Sequence, residues 1–282
     1  MKVSVIIPFR EKNPKVLKCI ESAKNQNYKN IEIIVVSDRV KLKVKNIKSL
    51  VDPKCKGVGD KRNLGATKAS GDILFFLDSD CIVKKDSITK LVNMFKMGKM
   101  DAISGKPLAP IKSNILDLVT GLEYEDRFNR MGEGYVNVAA TTCLGVLKKS
   151  FQDIGEFKDY SKTEATGEDW DFSVRLTQKN YKIFHTNKVE VFHEHVSKNF
   201  IDYLKRQFLH VKYRVAHLRK YKKVTDEYSS LRMILSSTLL FCLPSTFRIY
   251  YRTKNVNVFM LPLISFFRNI AWLAGFFVGL FE

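Results

Sequence analysis

Two aspartates, Asp78 and Asp80, stand one residue apart at the end of a short apolar run, Ile73–Leu77. A run this short, apolar and aromatic predicts a buried central strand. In open α/β sheets, ligands bind outside the carboxyl ends of the strands. Two carboxylates at such an end can hold a hard cation, Mg²⁺ or Mn²⁺, that is shared with phosphate oxygens. The alternative is a polar turn that only ends the strand, and the position of the pair favours the metal site.

Other charged residues fall where they could bind an anion or a sugar. Asp38 follows a second apolar run, where an acid can bind a ribose or a base edge or can simply form a turn. Lys61 and Arg62 lie near the start of a helix that opens at Gly57. Basic residues disfavour the positive end of a helix unless an anion sits there. The pair therefore indicates a phosphate site, with a solvated charged face as the alternative.

A third acidic group, Glu168-Asp169-Trp170-Asp171, begins another predicted helix. Acids in a first turn favour the helix dipole, which is the purely structural interpretation. The functional interpretation is a general base that takes the proton of an attacking hydroxyl group.

The elements that must position these residues follow a strand, helix, strand order. Strands are predicted at 3–7 and 31–36, with a helix from near Pro14 to about Asn25 between them. Their near-continuous apolar runs predict a parallel sheet covered on both faces. Neither G-x-G-x-x-G nor G-x-x-x-x-G-K-[ST] occurs, so dinucleotide-binding and P-loop nucleotide sites are excluded. Further predictions are helices at 86–97 and about 113–131, and an edge strand at 100–104.

Four motifs occur in one order over residues 1 to about 200: VSVIIPFRE, VVSD, GDKRNLGATKASGDILFFLDSD and GEDWDFSVRL. Together they resemble family 2 glycosyltransferases with the GT-A fold. The resemblance implies an α/β fold for residues 1–200, with a mostly parallel sheet flanked by helices. It also implies metal-dependent, inverting transfer of a sugar. The donor would be a nucleotide sugar, with a UDP-sugar favoured, and the acceptor a glycan or a lipid-linked molecule.

The resemblance assigns roles to individual residues. Asp169 becomes the catalytic base, and Glu168 binds the acceptor or orients Asp169. His193 joins Asp78 and Asp80 as a contact of the metal or the diphosphate, with His195 as its alternate. A zinc half-site at these two histidines is disfavoured because no Cys or further His lies at ligand spacing. The donor-binding residues are Pro8, Arg10, Glu11, Asp38, Lys61, Arg62, Asp78 and Ser79.

Composition bears on partners and location. Lys and Arg outnumber acids 48 to 29, a net charge of +19, which favours polyanionic partners. Residues 200–223 predict a basic amphipathic helix on an anionic membrane face. Nucleic acid is not expected as a partner, because no recognition pattern for it accompanies the charge. The five cysteines form no C-x-x-C pair, which favours a reducing compartment.

Two apolar stretches, 233–247 and 256–281, complete a membrane-associating extension predicted for residues 201–282. They could span a bilayer, lie in its interface or form the core of a soluble domain. The basic residues upstream would keep the body of the protein on the cytoplasmic face of the membrane.

Two rival functions remain, and one further motif bears on how many sugars are transferred. The first rival is a nucleotidyltransferase, which would usually carry a Gly-rich loop after its first strand, where this chain has PFREKNP. A basic membrane-bound or nucleic-acid-binding protein without enzymatic activity is the second rival. Processive synthases of the resembled family carry Q-x-x-R-W, whereas Gln207 is followed here by Phe-Leu-His-Val, which favours transfer of a single sugar.

Overall fold

The computed structural model describes residues 1–111, 113–158, 167–194, 197, 199–220 and 239–281. The chain divides into two compact units. The first comprises the described residues within Met1–Leu108, Phe128–Ser161 and Glu168–Glu194, and the remainder forms the second. The domain division predicted at residue 200 stays a prediction.

A single mixed sheet organises the first unit. Across it the strands run in the order β3-β2-β1-β4-β8-β6-β9-β5, and β7 pairs with β9. The first four are parallel, whereas β8 is antiparallel to both of its neighbours. The α/β class is therefore confirmed, with parallel pairing in the β3-β2-β1-β4 half and between β6 and β9. The sheet is mixed rather than mostly parallel, because the pairs of β8 with β4 and β6, and those of β9 with β5 and β7, are antiparallel. The strands are β1 (Val3–Pro8), β2 (Ile31–Ser37), β3 (Lys48–Val51), β4 (Ile73–Leu77), β5 (Cys81–Val83), β6 (Ala102–Leu108), β7 (Gly134–Val136), β8 (Cys143–Leu147) and β9 (Ile183–His193).

Helices cover both faces of this sheet, as predicted. The helices of the first unit are α1 (Pro14–Lys24), α2 (Val58–Thr67), α3 (Ser87–Lys96), α5 (Lys148–Ile154) and α6 (Glu168–Gln178). Helix α4 (Ile115–Met131) belongs mostly to the second unit. Apolar side chains of α1 and α3 share one core with alternate residues of β1 and β4. Those of α2, α5 and α6 share a second core with the intervening residues of the same strands. Alternate side chains of β1 and β4 point to opposite faces, so both strands are buried throughout.

The predicted edge strand at 100–104 is wrong. Strand β6 begins at Ala102 and lies between β8 and β9, and Ala102 and Ile103 are fully buried. The register of β6 shifts between Ser104 and Lys106, at Gly105, where an added Cβ would lie 2.6 Å from the Val189 carbonyl oxygen. The glycine thus marks a bulge and a close backbone approach inside the sheet.

Three further helices form most of the second unit: α7 (Phe200–Lys220), α8 (Leu239–Thr253) and α9 (Leu261–Phe281). A short 3₁₀ helix, Val256–Met260, precedes α9. Tyr203, Val211 and Val215 of α7 are buried. Because protein covers this apolar side of α7, it does not provide the membrane-facing surface that the sequence predicted. Residues 221–238, which include parts of two predicted segments, lie outside the described residues.

Helix α9 carries a charge near its middle, and that charge is paired. Arg268 donates hydrogen bonds to both carboxylate oxygens of Glu123 on α4, and its guanidinium carbon lies 4.8 Å from the centre of the Trp272 ring. The indole Nε1 of Trp272 in turn donates to Gln207 Oε1 at 3.0 Å. By length and composition alone, Val256–Phe281 could cross a membrane.

We expect Gly275→Ala to lower the free energy of unfolding by about 1–3 kcal/mol, because a methyl group here overpacks a helix contact. The added Cβ would overlap the carbonyl oxygen of Phe208 on α7, and backbone cannot easily move aside. Thermal and denaturant unfolding would measure the loss. The matched control is Gly134→Ala, whose Cβ meets nothing within 4 Å. Equal stability of the two variants would contradict close packing of α9 on α7.

Candidate active site

The site lies at the carboxyl edge of the parallel strands. Strands β1, β2 and β4 run in one direction, so Pro8, Ser37 and Leu77 end them at the same edge. Asp38 directly follows β2, and Asp78 directly follows β4. A turn in which the Cys81 amide donates to the Asp78 carbonyl at 3.0 Å then leads into β5.

Arg62 links this edge to helix α6. One of its terminal nitrogens donates to Asp78 Oδ1 and the other to Glu168 Oε1, both at 2.7 Å. Only 2% of Arg62 is exposed, so the three charges interact in surroundings that screen them weakly. Arg62 lies in the second turn of α2 rather than in its first. In this structure two carboxylates provide negative charge beside Arg62, where the sequence predicted a phosphate.

Lys61 forms the neighbouring ion pair, with Asp38. The lysine Nζ lies 2.7 Å from Asp38 Oδ1. Burial raises the pKa of Asp38, but hydrogen bonds from Lys61 and Arg39 outweigh it and lower the pKa to about 2. Asp38 is therefore a fixed negative charge at neutral pH, suited to accept hydrogen bonds from hydroxyl groups.

Asp169 has the electrostatics of a general base. It is half-buried, and its Oδ1 accepts a hydrogen bond from the Trp170 amide at 2.8 Å. Burial and the charge of Glu168 raise its pKa to about 7, against the opposing charge of Arg62. A carboxylate with this pKa is charged in about half of the molecules at neutral pH, which suits proton abstraction. The next acid, Asp171, is fully buried and pairs with Arg175 at 2.7 Å, so its position is structural.

Asp80, Cys81 and His193 converge into a candidate metal centre. One potential ligand atom from each lies within 4.8 Å of the others. The antiparallel register of β5 and β9 places Cys81 opposite His193, and His193 Nε2 is 3.5 Å from Asp80 Oδ1. Burial lowers the pKa of His193, but its hydrogen bond with Asp80 and the charge of Asp80 raise it above the usual value. Carboxylate and imidazole are metal-ligating groups, so Asp80 and His193 fit a divalent cation. Burial raises the pKa of the Cys81 thiol well above its usual value, and a soft thiol does not suit Mg²⁺ or Mn²⁺.

The remaining predicted donor residues lie at the same edge of the sheet. Pro8 is buried at the end of β1, and Arg10 and Glu11 are exposed in the turn that follows. Ser79 is half-buried between Asp78 and Asp80. The structure thus groups Asp78, Arg62 and Glu168, groups Asp38 with Lys61, and groups Asp80 with His193. His195 lies outside the described residues.

Sequence reasoning did not consider Cys81 at this site, because its neighbour His193 is distant in sequence and only strand pairing brings them together. The side chain of Asn63, the residue after Arg62, holds the chain after α5. Its amide donates to the Phe157 carbonyl at 2.8 Å and accepts from the Phe157 amide at 2.9 Å.

Comparison with known proteins identifies the family to which this chain is similar. The family model described as "Glycosyl transferase family 2" matches residues 4–155, more than half of the chain. Glycosyltransferase AglE of Haloferax volcanii is 25% identical over 224 residues, which cover 73% of this chain and 70% of that protein.

Two further relatives match over shorter stretches. An uncharacterized glycosyltransferase of Haemophilus influenzae is 29% identical over 130 residues, 42% of this chain and 52% of the relative. Poly-beta-1,6-N-acetyl-D-glucosamine synthase of Staphylococcus aureus is 28% identical over 172 residues, 55% of this chain and 41% of the synthase. The chain thus spans about half or less of these two proteins.

Proposed function

The chain belongs to glycosyltransferase family 2, and from that premise we propose that it transfers a single sugar from a nucleotide sugar to a glycan or lipid-linked acceptor. Family membership confirms the expected enzyme class and the GT-A type of α/β fold, and it sets aside both rival functions. The proposal adds a UDP-sugar as the favoured donor, a divalent metal, inversion at the anomeric carbon and action at the cytoplasmic face of a membrane.

The observation that carries the proposal is the connection from Asp78 through Arg62 to Glu168 and Asp169. It brings the carboxylates proposed for the donor side within electrostatic range of the proposed base, whose pKa is about 7. In the proposed reaction Asp169 takes the proton of the acceptor hydroxyl as its oxygen bonds to the anomeric carbon. The bond from that carbon to the diphosphate breaks in the same step, and the nucleoside diphosphate leaves.

The other residues would bind and orient the donor. Asp38 would accept hydrogen bonds from the nucleoside, and Lys61 and Arg62 would face its diphosphate. Asp78, Asp80 and His193 would hold the divalent cation. When bound, such an ion supplies Lewis-acid stabilisation of the charge that develops on the leaving diphosphate.

Single-sugar transfer rests on the residues after Gln207. Phe208, Leu209, His210 and Val211 replace the remainder of the Q-x-x-R-W motif. The staphylococcal relative is named as the synthase of a polymer, so the length of the product distinguishes the two outcomes. One added sugar per acceptor supports the proposal, and a ladder of longer products contradicts this part of it.

Calorimetric titration with uridine, guanosine and thymidine diphosphates, with and without Mn²⁺, tests the donor site. We expect one nucleotide to bind in a metal-dependent manner, and chelation to remove that binding. Asp80→Ala should weaken it by about 100-fold or more, since even groups that only support metal ligands contribute 10–100-fold. The matched control is Asp153→Ala, an acid on α5 whose side chain pairs with Lys179 away from this edge. Metal-independent binding, or equal binding by both variants, would refute the metal site.

A further inference from the structure

Helix α9 buries mainly small and polar residues. Its buried residues are Ser265, Asn269, Gly275 and Gly279, together with the apolar Leu261 and Ile264 in its first turn. Large apolar residues on its other side are exposed, and they recur every three, four or seven positions along the whole helix. They are Leu263, Phe266, Ile270, Phe277 and Phe281. In water the apolar stripe of a helix faces the protein core, so the exposed apolar side of α9 is suited to contact with an apolar medium.

The apolar surface continues beyond α9. Phe259 of the 3₁₀ helix and Phe247 of α8 are both exposed, and their ring centres are 6.0 Å apart. The exposed apolar residues therefore extend over three successive elements, and extended exposed apolar surfaces mark sites of docking.

The packing of α9 on α7 decides how this surface can meet a bilayer. The two helices run parallel. The Phe267 ring contacts Phe200 with centres 5.7 Å apart, Trp272 bonds Gln207, and Gly279 approaches the backbone of Lys212. Their contact therefore follows α9 for about 18 Å at 1.5 Å per residue, more than half of the ~30 Å hydrocarbon core of a bilayer.

If α9 crossed the membrane, α7 would have to enter with it. Over the shared length α7 carries Asp202, Lys205, Arg206, Lys212 and Arg214, and each of these is at least partly exposed. Charged side chains in the hydrocarbon core are costly and rare. Length and composition allow α9 to span, but its attachment to a charged helix opposes this.

The end of α8 has the residues of a membrane interface. Tyr251 is 68% exposed, and Lys254 Nζ lies 5.3 Å from the centre of its ring. Tyrosine is favoured at the level of lipid headgroups, and lysine beside it is attracted to anionic lipids. The chain's net charge of +19 also favours contact with anionic lipids.

We propose that the exposed face of α8, the 3₁₀ helix and α9 lies in the plane of an anionic bilayer, at its surface, without crossing it. This membrane-docking face rests on the membrane location in the proposed function and makes that location specific. The occupant is the headgroup and upper acyl region of anionic phospholipids, and the residues that carry the proposal all belong to the second unit.

Fluorescent labels along α9 test the proposal. Single cysteines replace Leu263, Ile270 or Phe277 of the full chain and carry an environment-sensitive nitrobenzoxadiazole group. The chain's own five cysteines are buried, so labelling favours the new sites. On phosphatidylcholine–phosphatidylglycerol vesicles, all three labels should shift to the blue and be quenched equally by shallow spin-labelled lipids. A label at Met97, which is 71% exposed in the first unit, should not shift.

Externally added dithionite, which does not cross bilayers, distinguishes lying from spanning. It should bleach the labels at Leu263 and Phe277 alike, and protection of either one would establish a spanning helix and overturn the proposal. A blue shift without vesicles would mean that a second copy covers the face, which also overturns it. Equal binding to pure phosphatidylcholine would refute the anionic preference.

Polar substitution provides an independent measurement. The triple variant Phe266→Ser, Ile270→Ser and Phe277→Ser should lose about 10-fold or more in vesicle binding, because it removes three exposed apolar side chains that docking would bury in the bilayer. Met97→Ser is the matched control and should bind as the unaltered chain does. Nucleotide calorimetry on the same samples reports the first unit separately. Lost nucleotide binding with intact docking would refute the proposed function alone, and the reverse would refute the docking face alone.

Discussion

Replacing Asp169 by asparagine is expected to lower the rate of sugar transfer by about 10²–10⁴-fold, the usual contribution of a general base. The amide keeps the shape of the side chain but cannot take the proton of the acceptor hydroxyl. Donor affinity should change little, because the residues proposed to bind the nucleotide are on other elements. Turnover with acceptor in excess and calorimetry with the nucleoside diphosphate measure the two effects separately.

The pH dependence follows from the raised pKa of Asp169. The active form is the charged carboxylate, so with its pKa at about 7 the rate should rise as pH increases through about 7 and then level off. The asparagine variant should lack this rising limb. Asp153→Asn, on exposed surface of the first unit, is the control and should keep both rate and limb. Joint loss of transfer and donor binding in the Asp169 variant would refute its assignment as the base.

Arg62→Met is expected to lower the free energy of unfolding by about 3–5 kcal/mol, because it leaves the charges of Asp78 and Glu168 without their shared partner. Methionine preserves much of the apolar stem, so the loss reports mainly on charge and hydrogen bonding. Denaturant unfolding of the full chain gives the value. Arg39→Met is the contrasting control, since the Arg39–Asp38 pair is solvent-exposed on the arginine side and such pairs contribute about 0–1 kcal/mol.

The same variant should move the pH profile. Arg62 lowers the pKa of Asp169, so its removal should raise that pKa and shift the rising limb of activity to higher pH. Residual activity of the Arg62 variant, measured under conditions in which the variant is still mostly folded, is sufficient to locate the rising limb of its pH profile. An unchanged stability, or a limb that moves to lower pH, would contradict the central place given to Arg62.

Local sequence patterns were enough to predict much of the fold and the positions of several site residues. The apolar run before Asp78 marks a central strand because residues buried on both faces cannot alternate with polar ones. The acids at the start of α6 are recognisable in the sequence because three of them fall in the first turn of one helix, where acidic residues are favoured. The positions of Asp38, Asp78 and Asp169 at strand and helix ends are as predicted, and their chemical roles stay predictions.

The arrangements that sequence could not supply depend on tertiary packing. Nothing near Arg62 in the chain indicates that Asp78 and Glu168 neutralise it, because its partners lie on a different strand and a distant helix. The same holds for Cys81, which only the pairing of β5 with β9 brings to His193. Strand β6 was misplaced at an edge because neighbours in a sheet are set by topology, which a single strand's residues do not encode. The apolar side of α7 indicated a membrane surface because hydrophobicity alone does not distinguish lipid from α9.

The order of strands in the sheet also has a consequence for synthesis of the protein. Strands β1 to β4 are complete once residue 77 has left the ribosome, but the free edge of β4 pairs with β8, which ends at residue 147. At ~5–20 residues per second this edge stays open for several seconds. Phe75 and Phe76 lie on it, and an open apolar strand edge is a template for aggregation. The nascent chain therefore passes through a vulnerable interval that ends only when β8 inserts beside β4.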